Sequence, residues 1–73
     1  MPKLPVISGA EAVRAFERAG WRLNRQRGSH VVMLKDGQMA SLSVPQHRIL
    51  APGTLRSLIR ASGMSVEEFC GLL

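Results

Sequence analysis

The chain has 73 residues, 45% of them hydrophobic, and ten lysines and arginines against five acidic residues give it a formal net charge of +5. This length predicts a single domain, residues 1–73, with a thin core and no room for a deep substrate cavity. The composition excludes a disordered tail, and no apolar run approaches the roughly 20 residues that a membrane-spanning helix needs.

The basic excess narrows the expected partners. Eight of the ten basic residues are arginines, whose planar guanidinium pairs bidentately with phosphate. This balance favours nucleic acid or an acidic protein as partner, the alternative being an ordinary solvated surface. The single cysteine, Cys70, permits no internal disulfide, and residues 1–5 lack the long apolar segment of a secretory signal. We therefore expect a soluble, cytoplasmic protein.

The first predicted element is a helix from Ser8 to Ala19. Ser8 and Glu11 have the spacing of a capping box, in which the serine hydroxyl caps a backbone N–H and the glutamate reaches back. Gly20 is placed to end the helix, because glycine adopts the left-handed conformation without strain. The apolar residues that fall on one helical face are Ala12, Val13, Phe16 and Ala19.

Three strands are predicted next, over residues 21–27, 30–35 and 38–44. Asp36-Gly37 is a strong signal for a two-residue hairpin between the second and third strands, and Pro45 ends the third. In the third strand, apolar residues alternate with serines, which predicts one polar face.

Alternation in the first strand places Trp21 and Leu23 on one face and Arg22 and Asn24 on the other. Trp21 is interpreted as a core residue rather than a platform for stacking bases, because it is in phase with Leu23 directly after a helix.

The C-terminal third is predicted to be helical. Pro52-Gly53-Thr54 begins a helix and Gly63 closes it, with an apolar face that fades at Ser62. Ser65 and Glu68 form a second capping box, so the region is either one long helix or two short ones. The apolar face of the final helix is predicted as Val66, Phe69, Cys70 and Leu73. On that spacing Cys70 is a core residue rather than a nucleophile.

These elements predict an α+β fold of order α-β-β-β-α, in which helices cover one face of a three-stranded antiparallel sheet. The other face of the sheet is expected to be free. This is the arrangement of the double-stranded-RNA-binding domain, which recognises RNA by shape and phosphate contacts. A fold does not establish a function, so specific residues have to support it.

The segment Gly28-Ser29-His30 is the strongest candidate for binding a phosphate and transferring a proton. Gly28 allows a ligand to approach the backbone closely, and the Ser29 hydroxyl and nearby amides are suited to hold a phosphate oxygen. Imidazole is the side chain best suited to proton transfer near neutral pH. The alternative is that His30 is packed at a strand end. Both faces of its strand are apolar, which leaves open the direction in which His30 points.

Metal-free cleavage of RNA needs a group that moves protons and positive charge that stabilises the phosphorane-like transition state. Arg25, Arg27 and Lys35 lie near His30 in the sequence and supply such charge. His47, with Arg48 in the loop after the third strand, is a second proton donor, a phosphate contact or a loop cap. The two histidines and the cysteine are too far apart in sequence to form a metal site, and no nucleotide-binding loop is present, so no cofactor is expected.

An ordered set of motifs runs along nearly the whole chain and resembles the HicA family of toxins. The motifs are Gly20-Trp21, Arg27-Gly28-Ser29-His30, Val44-Pro45-Gln46-His47, Pro52-Gly53-Thr54-Leu55-Arg56-Ser57-Leu58-Ile59 and Ser65-Val66-Glu67-Glu68-Phe69. The segment Arg48-Ile49-Leu50-Ala51 departs from the more polar, lysine-containing loop of many family members.

The resemblance implies a fold like that of the double-stranded-RNA-binding domain and an mRNA interferase, an endoribonuclease that cuts transcripts without a metal. It also implies a HicB-type antitoxin partner that covers the active surface. His30 matches the family's catalytic histidine, whereas no catalytic role is carried over to His47. The expected RNA-binding residues are Arg25, Arg27, Gly28, Ser29, Lys35, His47 and Arg48. Two alternatives are a non-catalytic RNA-binding module of the same fold and a basic domain that binds an acidic protein.

Overall fold

The computed structural model describes residues 3–73; Met1 and Pro2, which begin the N-terminal segment considered above, lie outside the described residues. The elements in chain order are α1 (Gly9–Arg18), β1 (Arg22–Arg27), β2 (His30–Leu34), β3 (Leu42–Pro45), α2 (Pro52–Ala61) and α3 (Val66–Cys70). The strands form one antiparallel sheet of order β1-β2-β3. This confirms the predicted α+β fold, which is consistent with that of the double-stranded-RNA-binding domain.

Both predicted capping boxes are present. The Ser8 hydroxyl accepts a hydrogen bond from the Glu11 N–H at 3.1 Å, and the Glu11 carboxylate accepts from the Ser8 N–H at 3.0 Å. Ser65 and Glu68 repeat this exchange at 3.1 and 2.9 Å at the start of α3. Each box satisfies two backbone donors that a helix N-terminus otherwise leaves unpaired.

The capping boxes predict a loss of stability in acid. The backbone N–H of Ser8, and secondarily its hydroxyl, lower the pKa of Glu11, and Ser65 lowers the pKa of Glu68 in the same way. A carboxyl whose pKa is lower in the folded state stabilises the fold above its unfolded pKa and loses that contribution as the pH falls through the folded pKa. We expect the thermal midpoint to fall on acidification below about pH 4.3.

Thermal unfolding of the double variant Glu11→Gln/Glu68→Gln checks this expectation. The variant should have a lower thermal midpoint than the parent at neutral pH. Its thermal midpoint should then fall less than that of the parent on acidification. Glu17→Gln, at the opposite end of α1, is the matched control and should keep the parent's pH dependence. An unchanged pH dependence in the double variant would contradict the assignment.

The core lies between the helices and one face of the sheet. Buried and exposed residues alternate in β2 and β3, so that one face of these strands carries core side chains and the other is open to solvent. Trp21 is 2% exposed, which confirms that it belongs to the core. The rings of Phe16 and Phe69 pack with centroids 5.0 Å apart and join α1 to α3. The largest fully buried side chains are Trp21, Phe16, Phe69, Met33, Leu42, Leu55, Ile59 and Val44.

The third strand is shorter than predicted, and the prediction of a two-residue hairpin was wrong. A turn does form at Asp36-Gly37, closed by a hydrogen bond from the Gln38 N–H to the Lys35 carbonyl at 3.1 Å. The ladder, however, begins only where Met33 faces Leu42. A two-residue hairpin would have placed the small Ala40 opposite Met33. The observed shift by two residues keeps the same face inward and places the larger Leu42 in the core.

The C-terminal region consists of two helices, separated at Gly63, which has a φ of +83°. The apolar face of α2 gives way to the polar Ser62 as predicted, but Ser62 is itself buried, and its hydroxyl donates to the Ile59 carbonyl at 2.6 Å. The prediction for Leu73 was wrong, since Leu73 is 48% exposed and Leu72 packs against the core instead. Helical spacing fails there because α3 ends at Cys70, which is partly buried.

Candidate active site on the open face of the sheet

The burial pattern of β2 settles the direction of His30. Val31 and Met33 are buried in the core, whereas His30 lies on the opposite, open face together with Val32. The imidazole of His30 is therefore exposed to solvent rather than packed at the strand end. An exposed position of this kind gives a substrate direct access to the ring nitrogens.

A β-bulge brings two arginines onto the same face as His30. The register between β1 and β2 shifts between Leu23 and Arg25, so that Arg25 lies opposite Val32 and Arg27 lies opposite His30. Residues directly opposite in an antiparallel pair point to the same face. The alternation predicted for the start of this strand therefore does not continue through its second half, because a bulge between Leu23 and Arg25 inserts one residue that has no partner.

These residues line a shallow depression, the His30 depression, with a volume of about 310 Å³. Its lining residues are Arg25, Arg27, His30, Val32, Ser41 and Ser43. Two guanidinium groups, one imidazole and two hydroxyls thus border one depression, and the lining includes no acidic side chain from residues 3–73. Guanidinium and hydroxyl donors beside an imidazole suit a phosphate ester whose oxygens gain charge during a reaction.

The turn that precedes His30 is held by two hydrogen bonds. The Gln46 N–H donates to the Ser29 carbonyl at 2.6 Å, and the Gln26 side-chain amide donates to the Gly28 carbonyl at 3.2 Å. Gly28 has a φ of +59°, a conformation that glycine adopts most easily. A Cβ at this position would meet nothing within 4 Å, so that the backbone of the turn is open to an approaching ligand.

The loop that carries His47 and Arg48 lies at the same end of the sheet as this turn, as the bond between Gln46 and Ser29 requires. The His47 carbonyl accepts from the Gly9 N–H at 2.9 Å, which anchors the loop to the start of α1. His47 and Arg48 are exposed, and neither lines the His30 depression.

Lys35 is not brought to His30. It lies beyond the other end of β2, five residues away, which corresponds to about 16 Å at roughly 3.3 Å per residue. Its side chain lies close to Gly20, where an added Cβ would be 3.3 Å from the Lys35 Cε. Nearby, Arg22 forms an exposed ion pair with Asp36 at 2.8 Å, the only ion pair among residues 3–73.

Sequence reasoning did not assign Ser41 and Ser43 to the site. The available signal was the alternation of serine with apolar residues in the third strand, which predicted a polar face. It did not connect that face to His30, since the direction of His30 was open. The ladder makes the connection by placing Ser43 opposite Val32.

Residues 3–73 contain neither a metal-binding cluster nor a membrane-spanning helix. No group of three or more His, Cys, Asp or Glu side chains in this part of the chain is placed to hold a metal ion. None of its helices combines the length and the apolar character needed to cross a membrane.

The comparison with protein families gives a clear result. The family model described as the HicA toxin of bacterial toxin–antitoxin systems matches residues 9–64, more than half of the chain. The chain belongs to the HicA toxin family. The matched region contains the whole His30 depression and ends before α3. A search of curated proteins found no match. Membership identifies the chain as the toxin component of a toxin–antitoxin system and implies an antitoxin partner.

Proposed function

We propose that this HicA-family toxin is an endoribonuclease that cuts mRNA, with His30 as a general acid or base. The observation that carries the proposal is the exposure of His30 in one depression with Arg25 and Arg27. Arginine binds the phosphate diester and imidazole transfers a proton, which are the two functions that metal-free RNA cleavage requires.

The reaction uses the substrate's own 2′-hydroxyl as nucleophile. A bond forms between the 2′-oxygen and the adjacent phosphorus as the bond from phosphorus to the 5′-oxygen breaks. One proton leaves the 2′-hydroxyl and one reaches the 5′-oxygen, and His30 moves one of these two protons. Arg25 and Arg27 stabilise the negative charge on the non-bridging oxygens of the pentacoordinate phosphorus. The products are a 2′,3′-cyclic phosphate and a free 5′-hydroxyl.

The shape of the site supports an exposed RNA strand as substrate. The depression is shallow, and the turn at Gly28 presents backbone without a side chain beside it. Ser29 lies in that turn, next to His30. A phosphate diester can therefore approach both the turn and the arginines from solvent.

Cleavage of a short single-stranded RNA by the purified chain in the presence of a chelator tests this function. We expect fragments that end in a 2′,3′-cyclic phosphate. The matched control is the same oligonucleotide with one 2′-deoxynucleotide at the cleaved position, which should resist cleavage there. Cutting of the deoxy-substituted position at an equal rate would contradict the mechanism, and uncut RNA would contradict the function.

The two arginines of the depression should dominate RNA binding. We expect Arg25→Gln/Arg27→Gln to weaken binding and to reduce the magnitude of the slope of log affinity against log salt by up to about 1.4, the value for two lost phosphate contacts to a single strand. Arg56→Gln/Arg60→Gln on α2 removes the same charge outside the depression and is the matched control. Salt titrations of affinity for one oligonucleotide compare the two variants. Equal losses would show that net charge, not the depression, binds RNA.

The antitoxin is proposed to be of the HicB type and to cover this basic face. Charge supports the proposal, because Arg25 and Arg27 have no ion-pair partner within residues 3–73 and an acidic surface would supply one.

A further inference from the structure

A second groove lies beside the His30 depression, between β3 and α2. It has a volume of about 470 Å³ and is lined by Ser43, Gly53, Thr54, Ser57, Leu58 and Ala61. We propose that this β3–α2 groove holds the base of a nucleotide that flanks the cleaved phosphate. The inference rests on the proposed ribonuclease function and names a subsite of that same reaction.

Ser43 joins the two sites, since it lines both the His30 depression and the β3–α2 groove. β3 is an edge strand of the sheet, and neighbouring strands lie about 4.8 Å apart. The groove therefore begins roughly one strand spacing beyond the strand that carries His30. An RNA chain whose phosphate lies in the depression can therefore place an adjoining nucleotide over Ser43 and into the groove.

The lining of the groove suits a base rather than a phosphate. Of the residues described, none that lines it is charged, in contrast to the two arginines of the neighbouring depression. Ser43, Thr54 and Ser57 supply hydroxyls, each able to donate and accept a hydrogen bond. Leu58 and Ala61 supply apolar surface against which a flat ring can lie. Hydroxyls beside apolar surface match the polar edge and apolar face of a nucleobase.

The size of the groove also agrees with one base. Its volume lies within the range of sites that hold a single small organic molecule. Such a groove is far too small for a duplex. A duplex would present its phosphates, and the groove offers those no positive charge.

An extended peptide that adds a strand to β3 fits less well. β3 has only four residues and ends in Pro45, which has no N–H to donate. A short edge strand that ends in proline is typical of an edge that avoids pairing with another strand. The backbone of β3 therefore offers a partner strand few hydrogen bonds.

Affinity measurements on the His30→Ala variant test the proposal without cleavage. The probes are a short single-stranded RNA and versions of it with one base removed at each position in turn. We expect removal of one base, next to the phosphate that the wild-type chain cleaves, to weaken binding by about tenfold. Adding Ala61→Leu, which fills the apolar end of the groove, should weaken binding of the intact RNA to the same extent. Removing the base should then cause no further loss.

Ala10→Leu is the matched control, since Ala10 is an exposed alanine on α1 outside the groove. This variant should keep both the affinity and the tenfold effect of the missing base. The double variant Thr54→Val/Ser57→Ala, which removes hydroxyls with little change in size, should reduce discrimination between bases at that position.

The possible failures are distinguishable. If the effect of the missing base persists in the Ala61→Leu variant, the groove does not hold that base. If Ala61→Leu leaves RNA affinity unchanged and weakens binding of the antitoxin, the groove is a protein contact and the inference is overturned. If wild-type protein leaves RNA uncut while the base and groove effects remain, the ribonuclease function fails and base binding in the groove stands.

Discussion

His30→Ala is expected to lower the rate of RNA cleavage by at least about a hundredfold, the smallest effect typical of losing a general acid or base. The imidazole lies on the open face of the sheet and contributes nothing to the core, so the fold should be unaffected. RNA affinity should fall far less than the rate, because Arg25 and Arg27 remain. The measurement is single-turnover cleavage of one oligonucleotide at saturating protein.

Two controls separate chemistry from folding. The thermal midpoint, followed by the fluorescence of the buried Trp21, should match that of the parent. His47→Ala, at the same end of the sheet but outside the depression, should retain most of the activity. Cleavage by the His30→Ala variant at the wild-type rate would contradict the mechanism. Salt-sensitive RNA binding without cleavage by the parent would instead favour a non-catalytic RNA-binding module.

Gly9→Ala is expected to lower the free energy of unfolding by about 2–3 kcal/mol, which is at the upper end of the range typical of overpacking substitutions. An added Cβ would lie 2.0 Å from the Pro45 carbonyl oxygen and 2.9 Å from the Gln46 Cα. Both neighbours are backbone atoms, so neither can rotate away as a side chain would. The start of α1 or the loop must move, and this movement would strain the bond between the Gly9 N–H and the His47 carbonyl.

Urea unfolding monitored at Trp21 measures this loss, with Gly53→Ala as the matched control. Gly53 also lies in the first turn of a helix, but a Cβ there would meet nothing within 4 Å. The stability of Gly53→Ala should be equal to or slightly above that of the parent, since alanine favours helix more than glycine does. Equal stability of both variants would show that α1 does not pack closely on β3. Cleavage by Gly9→Ala should fall as well, because Gln46 holds the turn before His30.

Local sequence determined the ends of the helices. A capping box uses atoms within four consecutive residues, so Ser8, Glu11, Ser65 and Glu68 specify their hydrogen bonds without help from the rest of the fold. The break at Gly63 was equally local, since glycine accepts a left-handed conformation at the end of a helix. Element order followed from hydrophobic periodicity and proved correct.

The candidate site could be predicted only in part. The sequence singled out His30 and the nearby Arg25 and Arg27, and the structure brings these three together. The direction of His30 depended on which apolar face of β2 packs against the helices, a question that alternation within one strand cannot answer. The register of the third strand could not be predicted for a similar reason. Whether Ala40 or Leu42 lies opposite Met33 depends on the volume of a core that is built by distant elements.

By itself, the sequence determined the helix caps, the order of elements, the basic charge and the chemical groups near Gly28-Ser29-His30. Tertiary structure alone decided which groups share a face. A bulge after Leu23 aligns Arg25 and Arg27 with His30, while Lys35 lies at the far end of β2. Pairing of β3 with β2 then adds Ser43 and connects the depression to α2. The reason is physical: caps depend on neighbours along the chain, whereas a site depends on strand register, which is set by packing across the whole core.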